Sequence, residues 1–200
     1  MVTPSAAGEP RTANDSRRWV LRRARPTDAR ALSRLFSSVR AEGRWLATPP
    51  SAVSEPSESY FIGEMIRAGD SLVLVAESGG EVIGNVLVTT ERSSISDHVG
   101  TLSIAVLDGW RDVGIGSALM RAAQEWTREH GLAKLALGVF PDNARAIAVY
   151  ERVGFQREGL RRRQYRGYAG GYRDELLMAW FPDEADEADA TNRGREEADR

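Results

Sequence analysis

The second half of the sequence alternates between strand and helix patterns, and this order restricts the possible folds more than any other feature. A run rich in β-branched residues over 98–107 precedes a helical pattern over 114–130, whose apolar residues share one stripe. A second strand pattern follows over 134–140. Because a strand, a helix and a strand joined in this way pair in parallel through a right-handed crossover, one parallel strand pair is predicted.

The remaining segments predict further helices and antiparallel strands around this pair. Residues 77–80 contain two glycines between two β-branched runs, a pattern typical of a hairpin. Residues 43–58 are rich in Pro and Ser and predict a loop. The predicted order is strand 19–23, a helix after Asp28, a short helix ended by Gly69, strands 71–76, 81–89 and 98–107, helix 114–130, strand 134–140, a helix from Asn143 to about Arg152, and strands 155–163 and 172–181. The fold class is therefore α/β (α+β), with a mixed and mostly antiparallel sheet flanked by helices.

The junction between the strand over 98–107 and the next helix carries the chemical signal. Its loop contains Arg111, Gly114 and Gly116, and ends at Ser117. Two glycines let backbone N–H groups approach an anion, and a helix N-terminus adds about half a unit of positive charge. The loop lacks the Lys-Ser/Thr pair of a P-loop and the first glycine of a dinucleotide fingerprint. Taken alone, the glycines equally well serve close packing of helix on sheet.

Two motifs together resemble the GNAT superfamily of N-acetyltransferases. Arg111, Gly114 and Gly116 match the acetyl-CoA signature of that family at its strand-to-helix junction, and the helix from Asn143 through Tyr150 to Gly154 and Phe155 matches a second family motif. The resemblance covers residues 19–181. It implies the GNAT fold, in which the central sheet is splayed between its two parallel strands. Short matches over 42–45 and 171–178 make the chain most similar to the ribosomal-protein and amino-acid N-acetyltransferase branch.

The resemblance implies an enzyme that transfers an acetyl group from acetyl-CoA to a primary amine by direct attack. It places Tyr150 as the general acid that protonates the CoA thiolate. A backbone N–H near Val106 would polarise the thioester carbonyl, as in an oxyanion hole. The implied cofactor-binding residues are Ile104, Val106, Arg111, Val113, Gly114, Gly116, Ser117 and Asn143. A core tyrosine at position 150 and a plain helix cap at Asn143 are the structural alternatives.

The resemblance does not identify the general base. Many relatives carry a glutamate at the position that aligns with Thr101, and threonine cannot act as a base. Glu42, His98 and Glu175 are the candidates, with Glu42 chosen first, and proton loss to solvent through water is an equal alternative. His130 precedes Gly131 and is interpreted as part of a helix C-terminus.

The amino-acid composition excludes two kinds of catalytic site. The chain has no cysteine and only two histidines, His98 and His130, which excludes a thiolate nucleophile and a multi-histidine metal site within one chain. Direct transfer without an acyl-enzyme and without metal is therefore expected. Two other functions stay open: a catalytically silent acyl-CoA-binding sensor, motivated by Thr101, and a ribosome- or RNA-associated protein using the basic stretch from Arg161 to Arg166.

The two ends of the chain differ in composition from the middle. Residues 1–18 predict a flexible N-terminal arm, and residues 19–182 the N-acetyltransferase domain. Residues 183–200 carry eight acidic residues and three arginines, a net charge of -5 within a total of -2, and predict a disordered acidic tail. The expected partners are acetyl-CoA and an amine on a small molecule or peptide N-terminus, with nucleic acid disfavoured and a homodimer left open. No signal peptide or membrane span is recognised, so the cytoplasm is the expected location.

Overall fold

A single mixed sheet organises the chain. The computed structural model describes residues 8–48, 54–90, 95–167 and 170–183. Its strands are Glu9–Thr12 (β1), Arg18–Arg23 (β2), Leu72–Ser78 (β3), Glu81–Thr90 (β4), Val99–Val106 (β5), Lys134–Val139 (β6), Gln156–Arg166 (β7) and Tyr172–Trp180 (β8). Its helices are Ala29–Ala41 (α1), Glu55–Ala68 (α2), Ile115–Glu129 (α3) and Ala144–Arg152 (α4).

The sheet is antiparallel except at one place. Its eight strands lie in the order β1-β2-β3-β4-β5-β6-β8-β7. The parallel pair is β5 with β6, joined by α3 as the crossover helix. The prediction of a mixed, mostly antiparallel sheet with one parallel pair and flanking helices is therefore confirmed.

Helices cover both faces of the sheet, and the strand pleat shows how. In β3, Leu72 and Leu74 belong to the core under α3 and α4, whereas Val73 and Val75 belong to the core under α1 and α2. Successive side chains of a strand point to opposite faces, so a continuous apolar run such as this one supplies two cores. We call these the α3/α4 face and the α1/α2 face.

Helix α2 begins earlier than the sequence predicted. The loop predicted over 43–58 ends at Ser54, whose hydroxyl accepts a hydrogen bond from the Ser57 N–H at 3.4 Å and caps the helix. Glu58, in the first turn, accepts two hydrogen bonds from the guanidinium of the buried Arg40, at 2.6 and 2.7 Å, and so ties α2 to α1. Proline is favoured in a first helical turn, and Pro56 lies in the first turn of α2. Residues 55–58, which the sequence predicted as loop, therefore belong to this helix.

The predicted flexible arm over residues 1–18 is corrected for the part that the structure describes. Residues Glu9–Thr12 form β1, which pairs antiparallel with β2. Ala13 is buried in the α3/α4 core, and its backbone closes the turn between the strands. No apolar run marked this strand, because backbone pairing rather than hydrophobic burial orders it. Residues 1–7 and the predicted acidic tail from 184 onward lie outside the described residues.

A buried charge cluster holds the start of the fold together. The Arg22 side chain, 7% exposed, donates to both oxygens of Asp28 at 2.6 and 2.9 Å, and its Nε donates to Glu77 at 2.9 Å. Burial alone would raise the pKa of Asp28, but the hydrogen bonds from Arg22 and from the Arg25 N–H, together with the charges of these two arginines, hold that pKa below its ordinary value. The cluster therefore joins β2, β3 and the turn before α1.

Candidate active site

The parallel strands β5 and β6 are joined along only part of their length. Ladder pairs connect Val99 with Lys134, Gly100 with Leu135 and Thr101 with Ala136, and no further pair joins them. Beyond that point β6 continues to pair with β8 as far as Val139, and β5 continues to pair with β4. The facing edges of β5 and β6 are consequently left open. We call this opening, between residues 102–106 and 137–139, the wedge.

The backbone of β5 presents hydrogen-bonding groups to the wedge. The Leu107 N–H donates to the Ile83 carbonyl at 2.9 Å, so the backbone of Leu107 faces β4. Backbone polar groups alternate sides along a strand, so the N–H and C=O groups of Ile104 and Val106 face the wedge. The Val106 carbonyl accepts a hydrogen bond from Arg111 Nε at 2.8 Å. The Ile104 groups and the Val106 N–H stay available to a bound chain that carries amides.

The loop after β5 leads into an uncapped helix N-terminus. Gly109, Asp112 and Gly114 all have left-handed backbone angles, with φ of 77°, 63° and 94°. Helix α3 begins directly after Gly114 with no side-chain cap, and the first intrahelical bond is from the Ala118 N–H to the Gly114 carbonyl. In the described part of the chain, the N–H groups of residues 115–117 have no acceptor. This first turn therefore offers free donors and a positive helix end to an anion.

Arg111 and Glu42, distant in sequence, form an ion pair. Both terminal nitrogens of Arg111 donate to the Glu42 carboxylate, one of them at 2.8 Å, and Trp45 Nε1 donates to the same carboxylate at 2.7 Å. The hydrogen bond from Arg111 is the main reason that the pKa of Glu42 lies below its ordinary value. A carboxylate held in this way is a weak proton acceptor, so Glu42 fits better as an anchor between the end of α1 and the loop.

Asn143 and Tyr150 occupy the places in α4 that the sequence indicated. Asn143 is the N-cap, and its Oδ1 accepts from the Ala146 N–H at 3.2 Å. Tyr150 is 8% exposed and packs in the α3/α4 core beside Phe155, with ring centroids 6.2 Å apart. Burial raises the pKa of Tyr150 to about 12. Its hydroxyl is thus protonated at neutral pH and has no hydrogen-bond acceptor among the described residues.

Sequence reasoning missed a contact between the N-terminal segment and the loop. The Asn14 N–H donates to the Val113 carbonyl at 3.0 Å, and Arg17 donates to the Gly109 carbonyl at 2.7 Å. The Arg17 guanidinium also lies 3.7 Å from the centre of the Trp110 ring. We call residues 13–17 the brace, because they hold the outer side of the loop. The sequence feature that could have indicated this contact was Trp110, an aromatic residue in a glycine-containing loop.

The histidines lie away from the wedge. His98 precedes β5, and its carbonyl accepts from the N–H groups of residues 133 and 134 at the joined end of the parallel pair. Eight residues separate it from Val106, about 26 Å along an extended strand. His130 ends α3, where Nδ1 bonds the Trp126 carbonyl at 2.9 Å and the two rings stack. This agrees with its interpretation as part of a helix terminus.

The third candidate base, Glu175, lies on β8 in a fixed arrangement. Its Oε1 accepts from the Tyr165 hydroxyl at 2.7 Å and its Oε2 from Arg161 at 3.1 Å. Burial, followed by this hydrogen bond, raises the pKa of Tyr165 to about 12. Tyr165 in turn packs edge-on against Phe140, with ring centroids 5.7 Å apart.

Across the described ranges, no group of three or more His, Asp or Glu side chains is arranged to hold a metal ion. None of the helices found there is long and apolar enough to cross a lipid bilayer.

A match to a protein-family model shows to which family the chain belongs. The family model for the acetyltransferase (GNAT) family matches residues 40–155. This chain belongs to the acetyltransferase (GNAT) family. It is an acetyl-CoA-dependent N-acetyltransferase with the GNAT fold, as the resemblance implied.

Individual relatives cover most of the domain. L-amino acid N-acetyltransferase AaaT of Escherichia coli K12 is 30% identical over 164 residues, which span 80% of this chain and 96% of that protein. Streptothricin acetyltransferase of Streptomyces lavendulae is 33% identical over 183 residues, spanning 80% and 94%. The crystal structure of the ribosomal-protein-alanine N-acetyltransferase of Brucella melitensis superposes with a TM-score of 0.72 at 26% identity, covering 80% and 98%. These relatives favour neither the silent sensor nor the RNA-associated protein.

Proposed function

We propose that the wedge binds the pantetheine arm of acetyl-CoA and that the open first turn of α3 binds its pyrophosphate. The observation that carries the proposal is the early end of the β5–β6 ladder at Thr101 and Ala136, which leaves strand-edge donors and acceptors facing an opening. An amide-bearing arm fits such an edge as an added strand would. The free N–H groups of Ile115, Gly116 and Ser117 lie at the end of the loop from Arg111 through Val113 and Gly114.

Within this arrangement the Val106 N–H is the donor to the thioester carbonyl. It faces the wedge at the last residue of β5, where the loop bends away. The Val106 N–H shares its peptide unit with the Ala105 carbonyl, and the pairing of Ala105 with Asn85 of β4 fixes the orientation of that unit. A donor that is already fixed stabilises the developing oxyanion without reorganisation. Ile104, two residues earlier, pairs with an amide of the arm.

Tyr150 is proposed as the acid that protonates the leaving CoA thiolate. Its buried, protonated hydroxyl lacks an acceptor in the described part of the protein, and a thiolate in the wedge would supply one. Asn143 lies seven residues earlier, about two turns along the same helical face. Asn143 uses Oδ1 for capping, which leaves its Nδ2 donor for the cofactor. The acyl group passes directly to the amine, since the chain has no cysteine to carry it.

The acceptor is proposed to be a primary amine on an amino acid, another small molecule or a peptide N-terminus. The support is the set of related proteins, which are named for an L-amino acid, for streptothricin and for a ribosomal protein alanine. The catalytic unit is proposed to be residues 19–182 together with β1 and the brace. A homodimer and a cytoplasmic location stay predictions.

The binding half of the proposal is tested at Gly116. A Cβ at this position meets no protein atom within 4 Å, and the backbone there is ordinary helix, so Gly116→Leu adds bulk without a clash in the protein. A substitution at Gly114 would also strain the backbone, because φ there is 94°, so Gly116 is the better position for the test. We expect calorimetry to show a loss of acetyl-CoA affinity of about 100-fold or more, because the side chain fills the space of the pyrophosphate.

The matched control is Gly159→Leu on β7, where a Cβ also meets nothing within 4 Å. Its acetyl-CoA affinity should equal that of the wild type. Wild-type affinity in Gly116→Leu would contradict the assignment of the pyrophosphate to this turn.

A further inference from the structure

On the α1/α2 face, the side chains next to the wedge are smaller and more exposed than those under the helices. On β3, β4 and β5 this face is covered by α1 and α2, with Leu32 and Leu35 of α1 and Met65 of α2 packed in the core beneath them. Toward β6 the same face carries small or short side chains, with Thr101 at the joined end of the strands, Ser103 on β5 and Gly138 on β6 all exposed. An uncovered floor of small residues beside the wedge leaves room for an amine that approaches from the side opposite α3 and α4.

Glu175 reaches onto this floor from the neighbouring strand. Gly138 of β6 pairs with Leu177 of β8, two residues from Glu175, so the side chains of all three positions share one face. A Cβ built on Gly138 would overlap Glu175 Oε1 and would lie 2.8 Å from its Cδ. The carboxylate therefore fills the space that a side chain of β6 would otherwise take, directly at the edge of the wedge.

The Glu175 carboxylate is held in place but keeps open hydrogen-bond acceptor positions. It is only 8% exposed, with one bond from Tyr165 and one from Arg161. A carboxylate has about four lone-pair positions, so two stay open. Among the described residues, β7 directs Arg161 and Tyr165 at it, and β6 places Gly138 beside it. Arg173, two residues earlier on β8, donates to the Asp142 carboxylate.

The other candidates for this role are less suited. Glu42 is engaged by both terminal nitrogens of Arg111 and by Trp45, and its lowered pKa opposes protonation. His98 lies at the joined end of β5 and β6. Thr101 carries no group that takes up a proton at neutral pH.

Resting on the proposed function, we infer that Glu175 is the general base of the acetyl transfer, with Tyr165 as its positioning residue. The acceptor ammonium gives one proton to a Glu175 carboxylate oxygen. The lone pair that is freed on the acceptor nitrogen forms the C–N bond at the thioester carbon, and the C–S bond breaks. Tyr150 gives its proton to the departing thiolate, and the second proton lost by the nitrogen as the amide forms restores Tyr150.

The test is the pH dependence of Glu175→Gln, which keeps the shape and the hydrogen bond from Tyr165. At pH 7 kcat/KM for the amine should fall about 100-fold, a typical effect of losing a general base. The loss should shrink about tenfold per pH unit as the amine deprotonates on its own. Calorimetric acetyl-CoA affinity and Tm should match the wild type. Glu158→Gln, at the other end of β7, is the matched control with wild-type kinetics.

The possible outcomes distinguish the role of Glu175 from the proposed function of the protein. A merely structural role would lower the rate equally at every pH, and that result, or unchanged kcat/KM at pH 7, would overturn the assignment of Glu175 while leaving the proposed function standing. Wild-type protein without amine-dependent turnover would overturn both. If Glu175→Gln does not fold, Tyr165→Phe replaces it, and the same pH-dependent loss of about three- to tenfold is expected.

Discussion

At the scale of single residues, the proposed acid and the proposed base lie on opposite sides of the wedge. Tyr150 lies in the α3/α4 core and Glu175 on the α1/α2 face. The motif predicted that Tyr150 lies on the helix that Asn143 caps, as it does, and the role of Tyr150 as the acid stays a prediction. Glu175 was only one of three candidates, because its position depends on the pairing of β6 with β8 and on the missing side chain at Gly138. No local pattern encodes that contact.

Replacing Tyr150 by phenylalanine tests the acid. We expect kcat to fall by about 100-fold or more, since the thiolate loses its proton donor, while acetyl-CoA affinity changes less than about twofold. Steady-state kinetics and calorimetry measure the two effects. Tyr60→Phe, at an exposed tyrosine of α2, serves as the control with wild-type kcat. Unchanged turnover in Tyr150→Phe would remove this residue from the mechanism.

Gly138→Ala tests the base without altering it. The added methyl group would overlap the Glu175 carboxylate, so this side chain must shift and its hydrogen bonds with Tyr165 and Arg161 are disturbed. The melting temperature measures the accompanying cost in stability. We expect kcat/KM for the amine to fall about tenfold or more at pH 7, with less loss at higher pH. Gly159→Ala, which meets nothing within 4 Å, is the control. Wild-type kinetics in Gly138→Ala would show that the position of this carboxylate is unimportant.

At the scale of elements, the N-terminal brace joins β1 and β2 to the cofactor loop. Sequence patterns predicted nearly every other strand and helix, because apolar periodicity and glycine stops mark them. They did not predict β1, which carries no apolar run, nor the early start of α2, which depends on the Ser54 cap and on the buried Arg40–Glu58 pair. Both exceptions are ordered by polar contacts between segments distant in sequence.

Arg17→Ala tests the brace. The variant loses a hydrogen bond to the Gly109 carbonyl and the stacking on Trp110, together worth about 1–2 kcal/mol. We expect acetyl-CoA affinity to weaken about three- to tenfold because the loop must then be ordered on binding, with kcat unchanged. Arg18→Ala, the neighbouring exposed arginine, is the control. A change in kcat alone would contradict a role in positioning the loop.

At the scale of the whole molecule, the buried cluster around Arg22 makes stability depend on pH. Burial opposes the charge on Asp28, but Arg22 and Arg25 together hold its pKa below the ordinary value, so folding favours the ionised form. The stabilisation is therefore complete above the unfolded pKa of about 4 and is lost as the pH falls through the lower folded pKa. The overall charge balance did not reveal this cluster, since it depends on which carboxylates meet Arg22.

Arg22→Met tests this cluster. Removing one partner of a buried pair leaves Asp28 uncompensated, and we expect a loss of about 3–5 kcal/mol in the free energy of unfolding at pH 7. Urea unfolding at pH 7 and pH 3 measures it. The wild type should lose stability between these pH values, and the variant should lose less. An equal pH dependence in both proteins would contradict the assignment of acid sensitivity to Asp28.

The central claim is that this molecule binds acetyl-CoA in the wedge in order to acetylate an amine. It is tested most directly by the release of free thiol from acetyl-CoA in the presence of a panel of amino acids, peptide N-termini and other amines, with the products identified by mass spectrometry. Thiol release that requires an added amine and is matched mole for mole by its acetylated form is predicted. Tight binding of acetyl-CoA with no amine-dependent release for any member of the panel would contradict it.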